Sequence, residues 1–306
     1  MTLDEVVTAS GLVPRYVEEW LHGMVAAGYL DYDATAGTFE LPAEHAYLLS
    51  SVGTDHHMAG MFGMPPPLLA QASQLLRAMR EGGGVPFADF APACRHAIDV
   101  MNRGNYDARL VDYWLAQMPD VCARLAAGGE VLDVGCGHGY AAIAMARGFP
   151  ASRITGVDPD PASIAEARAA AAAAGVQIDF VEATLDALAA EPRFDLVTIC
   201  DSLHDLPDPV AVLKQVRERL APDGVLLVIE LKVSDRLEEN RHPIGTMFYG
   251  FSMFHCLTQS LAQDGAGLGA CLGPTRTLAL FEAAGFARAE QLSIRSPTNL
   301  FYAARP

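Results

Sequence analysis

A glycine-rich loop in the middle of the chain has the spacing of a nucleotide-binding site. The apolar segment Glu130–Val134 reads as a buried strand, and it leads into a D-x-G-x-G-x-G motif formed by Asp133, Gly135, Gly137 and Gly139. Such a loop after the first strand of an open α/β sheet is where nucleotides bind. A dinucleotide fingerprint would need a glycine where Tyr140 stands. Because the carboxylate of Asp133 suits a cationic amino group and disfavours a pyrophosphate, the motif predicts a nucleoside with a cationic end.

Two further polar residues follow strands of the same predicted sheet. Asp158 ends the second strand, 25 residues after Asp133, where an acidic residue can hydrogen-bond a ribose diol. Taken alone, Asp158 could instead be a helix cap ahead of Pro159. His204 comes shortly after the fourth strand, so we expect it at the carboxyl edge of the sheet, where the ligand should lie.

These residues need an α/β sheet to position them, and the pattern beyond Asp107 provides one. Apolar strands alternate there with helical segments, and the predicted strands are Glu130–Val134, Arg153–Val157, Gln177–Val181, Leu196–Cys200 and Val225–Glu230. Five strands with intervening helices predict a doubly wound, Rossmann-like α/β fold. We assign residues 107–306 to this domain.

The first 50 residues read as a winged helix-turn-helix. A short helix over Thr2–Ala9 is followed by a second that begins at Pro14 and ends at Gly28, and then by a β-hairpin around Asp33–Gly37. The second helix has an apolar stripe at helical spacing: Tyr16, Trp20, Leu21, Met24 and Val25. Eight acidic side chains against one arginine would repel DNA, so we interpret residues 1–50 as a scaffold or dimerisation domain.

Residues 51–106 are rich in Met, Pro and Gly and read as a helical linker or lid. The whole chain has a formal net charge of -16, which disfavours nucleic acids and anionic membranes as partners. No apolar run reaches the roughly 18 residues that cross a bilayer, and the first residues lack the pattern of an export signal, so a cytoplasmic location is expected.

No metal site is predicted from the spacing of the metal-ligating residues. The six cysteines are dispersed without a CxxC motif, which also makes a disulfide framework improbable. His56-His57 and His255-Cys256 are adjacent pairs, and adjacent residues do not point to one face of a helix. Magnesium would need clustered carboxylates, and none are evident beside the predicted acceptor site.

Taken in order, the motifs resemble those of class I S-adenosylmethionine-dependent methyltransferases. The carrying segments are Leu132–Gly139, Val157-Asp158, Phe194–Val197, Leu203–Pro209 and Ala283–Phe286. With its winged-helix start, the chain is similar to small-molecule O-methyltransferases. The resemblance implies S-adenosyl-L-methionine as cofactor, and it implies these contacts with it: Asp133, Gly135, Cys136, Gly137, Gly139, Asp158, Pro159, Thr184, Leu185, Cys200 and Asp201.

Within this resemblance, Asp133 and the glycine loop would bind the methionine part and Asp158 the ribose. The turn with Thr184 and Leu185 would face the adenine, although the family usually has an aspartate where Thr184 stands. His204, in a His-Asp pair, matches the family's general base, and Glu230 matches the acidic residue that orients this base. The alternative is that a histidine at this position only packs against its neighbours and has no part in catalysis.

After the fifth predicted strand, a long insertion from about Ser234 to Gly273 is expected to be functional, and it contains an apolar helical stretch, Met247–Leu257. Tyr106, Tyr249 and His255 are candidates to line the acceptor pocket, although plain core packing is an equal alternative for each. The expected reaction is methyl transfer to a small-molecule acceptor, most readily at a hydroxyl oxygen with His204 as base. Open alternatives are transfer to sulfur or nitrogen without a base, a non-catalytic cofactor-binding regulator, and a cyclase or hydroxylase. Homodimerisation stays open.

Overall fold

The amino-terminal unit consists of two helices and a hairpin. In the computed structural model, which describes residues 1–189 and 191–306, these are α1 (Leu3–Ser10), α2 (Pro14–Ala26), β1 (Asp31–Asp33) and β2 (Thr38–Glu40). Thr2 and Glu5 form a capping box at the start of α1. The small core of this amino-terminal unit contains Val17, Leu21 and Phe39. The predicted apolar stripe on α2 is wrong in part, because Tyr16 and Trp20 are 79% and 54% exposed.

A series of helices connects this unit to the sheet: α3 (Ala43–Leu49), α4 (Ala59–Gly63), α5 (Pro65–Leu69), α6 (Ala72–Glu81), α7 (Pro92–Asn105) and α8 (Pro119–Ala126). A π-helical segment, Tyr106–Trp114, continues α7 directly. The predicted boundary between residues 106 and 107 therefore falls inside a continuous helix. Gly104 lets α7 approach the carbonyl oxygen of Thr54, which an added Cβ would meet at 2.0 Å.

Seven strands form the central sheet: β3 (Glu130–Val134), β4 (Arg153–Asp158), β5 (Asp179–Glu182), β6 (Phe194–Cys200), β7 (Leu220–Leu231), β8 (Arg288–Leu292) and β9 (Asn299–Arg305). Their order is β5-β4-β3-β6-β7-β9-β8. The first five strands are parallel and are the five that the sequence predicts. The added hairpin of β8 and β9 pairs antiparallel with β7, so the sheet is mixed.

Helices cover both faces of this sheet, which confirms the doubly wound α/β prediction. They are α9 (Tyr140–Gly148), α10 (Pro161–Ala174), α11 (Pro209–Arg219), α12 (Pro243–Phe251), α13 (Leu257–Leu261) and α14 (Pro274–Ala283). One buried apolar cluster includes α9 and the π-helical segment, and a second includes α11 and α14. A π-helical turn, Ser252–Cys256, joins α12 to α13, so the predicted apolar stretch is helical throughout.

The strand order reverses between β3 and β6, which creates a crevice at the carboxyl edge of the sheet. Ligands of open α/β folds bind at this topological switch point. Across the described residues, every helix is too short or too polar to cross a membrane.

Candidate active site

The glycine loop between β3 and α9 forms one wall of the crevice. Gly135 and Gly139 have φ angles of 67° and 75°, which side chains other than glycine rarely adopt. At Gly139 the ring of Phe180 would lie 2.5 Å from an added Cβ, so the loop packs tightly against β5. At Gly137 an added Cβ would meet no heavy atom within 4 Å. The backbone at Gly137 therefore leaves room for a ligand.

Asp133 lies fully buried at the end of β3, with 1% of its surface exposed. The hydroxyl of Thr198 on β6 donates a 2.6 Å hydrogen bond to Oδ1, whereas Oδ2 has no partner among the described residues. Burial raises the pKa of Asp133 to about 7, although the Thr198 hydrogen bond opposes this rise. A buried carboxylate oxygen without a donor is suited to a cationic ligand group.

Asp158, at the end of β4, is tied to the glycine loop. Its Oδ2 accepts a 2.9 Å hydrogen bond from the backbone N–H of Gly137, and its Oδ1 accepts one of 2.9 Å from Asp160. Burial raises the pKa of this carboxyl group, and the two N–H donors oppose the rise. Asp158 is thus part of the loop's own structure as well as a candidate for contact with a ribose. Pro159, next to it, is exposed.

Asp201 follows β6 in a left-handed conformation with φ 51°. It accepts a 3.1 Å hydrogen bond from the hydroxyl of Tyr106 and one of 2.9 Å from the amide of Asn299. Burial and the nearby carboxylate of Glu230 raise the pKa of Asp201 to about 7. The structure therefore brings two predicted residues, Tyr106 and Asp201, into direct contact. Asn299 lies at the start of β9, a strand that the sequence interpretation did not include.

His204 and Glu230 form a buried pair, each with 2% of its surface exposed. The imidazole Nδ1 lies 2.5 Å from Oε2 of Glu230, and the backbone N–H of His204 donates to Oε1 at 3.3 Å. Burial acts to lower the pKa of His204, but the carboxylates of Glu230 and Asp205 outweigh it and raise the pKa well above its usual range. This arrangement stabilises an imidazolium whose Nδ1 proton is held by Glu230.

The other ring nitrogen of His204 faces a group of potential donor atoms. Nε2 lies 3.5 Å from Oδ1 of Asp205, and this oxygen has no hydrogen-bond partner among the described residues. His204, Asp205 and Cys256 each offer one atom, and the three lie within 4.8 Å of one another, so they could hold a metal ion. The prediction of no metal rested on spacing in sequence, which does not detect ligands from distant segments. It stays a prediction.

His255 is buried beside this group and lies 4.9 Å, between ring centroids, from Phe90. Its Nε2 has no partner among the described residues, and burial lowers its pKa. Tyr249, in contrast, is 41% exposed on α12, and its hydroxyl accepts a 3.4 Å hydrogen bond from Asn240. Of the predicted acceptor residues, His255 therefore belongs to the buried cluster, whereas Tyr249 faces the surface.

The remaining predicted cofactor residues differ in exposure. Leu185 is buried in the core cluster that includes Val134 and Val157, whereas Thr184 is exposed. Cys136 is buried in the glycine loop, and Cys200 is half-buried at the end of β6.

Helix α7 contacts the glycine loop and the start of α9 through two pairs that the sequence interpretation did not include. Nδ1 of His138 contacts the carboxylate of Asp99, and this hydrogen bond raises the pKa of His138. The guanidinium of Arg103 lies 4.8 Å from the centre of the Tyr140 ring. Because these partners are about 40 residues apart in sequence, local spacing gives no signal for them.

Family models match two parts of the chain. Residues 131–224 match a model described as a methyltransferase domain, and residues 1–51 match one described as an Rv2258c-like winged helix-turn-helix domain. Ubiquinone biosynthesis O-methyltransferase of Azotobacter vinelandii is 42% identical over 100 residues, which are 32% of this chain and 42% of that protein. The chain thus spans less than half the length of this curated relative.

Solved structures are similar over the whole chain. An O-methyltransferase family protein from Burkholderia thailandensis has a TM-score of 0.68 at 19% identity, and all of this chain aligns with 88% of it. Human N-acetylserotonin methyltransferase in complex with S-adenosylmethionine has a TM-score of 0.68 at 20% identity, and all of this chain aligns with 87% of it. At such identities the likeness shows the fold.

Proposed function

We propose that this chain, a class I methyltransferase with an N-terminal winged-helix domain, transfers the methyl group of S-adenosyl-L-methionine to a hydroxyl oxygen of a small molecule. The observation that carries this proposal is the buried His204–Glu230 pair at the carboxyl edge of the sheet, beside the glycine loop. The names of the curated relative and of the Burkholderia neighbour support oxygen as the site of transfer.

The residues of the crevice fit this cofactor. Oδ2 of Asp133, which has no partner among the described residues, is suited to an ammonium group, and the open space at Gly137 leaves room for the methionine chain. Asp158 ends β4 where a ribose would lie. When bound, S-adenosylmethionine supplies a methyl group that is already activated. The protein must therefore align acceptor and donor, and such positioning can contribute roughly 7–11 kcal/mol.

In this mechanism His204 is the general base. Its Nε2 accepts the proton of the acceptor hydroxyl, and the resulting imidazolium is stabilised by Glu230 at Nδ1. A phenol of pKa about 10 is mostly protonated at neutral pH, so a base contributes roughly 10²- to 10⁴-fold to the rate. The raised pKa of His204 reduces the difference between the pKa of this base and the pKa of such an acceptor hydroxyl. The acceptor hydroxyl would approach near Asp205 and Cys256, each of which has a polar atom within 4.8 Å of His204.

The test is a screen of phenols, carboxylates and thiols for release of S-adenosylhomocysteine, with cofactor binding measured by calorimetry. For an acceptor found in this way, we expect His204→Ala to lose roughly 10²- to 10⁴-fold in kcat and to retain cofactor binding. His22→Ala changes an exposed histidine of the winged-helix unit and is the matched control. Wild-type turnover by His204→Ala would favour transfer to sulfur or nitrogen, which needs no base. Failure to bind the cofactor would refute the whole proposal.

A further inference from the structure

An open pocket lies at the carboxyl edge of the sheet, outside the cluster around His204. It has a volume of about 400 Å³ and is lined by Arg109, Tyr113, Lys232, Arg295, Ser296 and Pro297. We refer to it as the cationic cavity. Three of its six lining residues carry a positive charge, and Lys232, Arg295 and Pro297 are exposed, so it is an open surface pocket and not an enclosed one.

Such clustering is unusual in this protein, which has 21 basic against 37 acidic residues. The guanidinium of Arg109 is paired with Asp55, its Nε lying 2.5 Å from Oδ2. Nζ of Lys232 donates a 2.9 Å hydrogen bond to the carbonyl oxygen of Ser296, which is uncharged. Within residues 1–189 and 191–306, Arg295 and Lys232 have no carboxylate at ion-pair distance. About two positive charges are therefore uncompensated in the cavity.

The elements that line the cationic cavity also line the crevice. The π-helical segment carries Arg109 and also Tyr106, whose hydroxyl bonds Asp201. On β7, Glu230 precedes Lys232 by two residues. The backbone N–H of Lys232 donates a 2.7 Å hydrogen bond to the carbonyl oxygen of Thr298, next to Asn299. The cavity and the crevice are thus neighbours along one edge of the sheet.

We propose that the cationic cavity binds an anionic group, a carboxylate or a phosphate, of the methyl acceptor. This inference rests on the proposed function and makes it narrower, because the acceptor would be a small acid that also carries the hydroxyl. A guanidinium recognises either group through paired N–H donors, and an ammonium adds a point charge. With a net charge of -16, the rest of the protein repels such an acceptor, so local cations are needed to hold it.

The experiment compares 4-hydroxybenzoate with its neutral amide as probes, using calorimetry on protein saturated with S-adenosylhomocysteine. We expect the acid to bind at least about tenfold more tightly, as one charge-assisted hydrogen bond would give. Arg295→Glu should abolish this preference, and Arg295→Lys should retain part of it. Arg288→Glu changes an exposed arginine on β8 that is paired with Glu290, and it should leave the preference unchanged. Equal binding of acid and amide by the wild type would overturn the proposal.

A titration with inorganic phosphate distinguishes an anionic group carried by the methyl acceptor from a free phosphate ion. Competition between phosphate and the acid, lost in Arg295→Glu, supports an acceptor site. Phosphate that binds at the cavity without displacing the acid would mean a separate anion site and would refute the inference. The phosphate titration is also done without S-adenosylhomocysteine. A protein that binds phosphate but does not bind S-adenosylhomocysteine would therefore contradict the proposed function and not the anion site.

Discussion

Replacing Glu230 with glutamine tests the pair at the centre of the proposed mechanism. The change keeps the size of the side chain but removes the charge that faces Nδ1 of His204 at 2.5 Å. The amide can still accept a hydrogen bond, but it no longer stabilises the imidazolium that forms when His204 takes a proton. A hydrogen bond to a charged group contributes about 1.5–3 kcal/mol. We therefore expect kcat to fall roughly 10- to 160-fold.

The same change should move the pH dependence in a defined direction. In the wild type, burial acts to lower the pKa of His204, and Glu230 and Asp205 outweigh it. With Glu230 neutral, burial is opposed less, so the pKa falls. Since catalysis needs the neutral imidazole, the acidic limb of the pH–rate profile should move to lower pH in Glu230→Gln, while the plateau rate is reduced. A residue that only packs against His204 would lower the rate without moving this limb.

The free energy of unfolding should also depend on pH through the pKa of His204. A histidine whose folded pKa is raised stabilises the folded state below its unfolded pKa of about 6.5, and this contribution is lost as pH rises through the folded value. Glu230→Gln should weaken this dependence.

The assay measures release of S-adenosylhomocysteine from about pH 5 to about pH 10. Glu290→Gln is the matched control, because Glu290 is a half-exposed carboxylate on β8. NMR titration of His204 without acceptor gives its pKa independently. An acidic limb that stays in place, or moves to higher pH, would refute the assignment of His204 and Glu230.

Three other predictions concern the cofactor crevice. Burial raises the pKa of Asp133 to about 7, and if its ionised form receives the ligand's ammonium group, calorimetry should show S-adenosylhomocysteine binding about tenfold more tightly at pH 8 than at pH 6. Asp133→Asn should bind weakly at both values, and a flat wild-type profile would contradict the role. Gly139→Ala should cost about 1–3 kcal/mol of unfolding free energy, because the new Cβ would lie 2.5 Å from the Phe180 ring at a φ of 75°. Gly137→Ala has free space and should cost less in thermal denaturation, so equal losses would argue against this packing. Asp99→Asn should destabilise the protein more at pH 6 than at pH 9, because the Asp99 hydrogen bond raises the pKa of His138 and its stabilisation is lost as pH rises. The exposed Asp89→Asn is its control, and equal losses at both pH values would exclude a charged His138.

The parallel part of the sheet could be predicted because its strands are buried on both faces. Such strands are continuous apolar runs, and β3 has the bounds that the sequence predicts, Glu130–Val134. The β8 strand has only polar or half-buried positions at the edge of the sheet and gives no such run. Asn299, at the start of β9, was missed with it, although it hydrogen-bonds Asp201.

Two other differences have specific physical causes. The predicted domain boundary between residues 106 and 107 falls inside a helix, because Gly104 allows α7 to contact Thr54 closely and the helix continues into the π-helical segment. On α2, helical spacing alone could not decide which of two adjacent apolar stripes is buried. The small core takes Val17 and Leu21, and leaves Tyr16 and Trp20 exposed. Contacts such as Asp99–His138 depend on how helices pack, which the spacing of residues within one element does not encode.

The charges along the carboxyl edge of the sheet suggest how the two substrates would be oriented. Asp133 is buried and Asp201 is half-buried, and both have a pKa raised to about 7, so each is costly to ionise until a cation lies nearby. S-adenosylmethionine is cationic at its ammonium and sulfonium groups, and its binding would therefore favour the ionised carboxylates. The cationic cavity lies beyond Glu230 on the same edge and would attract a group of opposite sign. An acidic acceptor anchored there is kept out of the acidic crevice by charge, so its hydroxyl end, rather than its acid group, would extend towards His204.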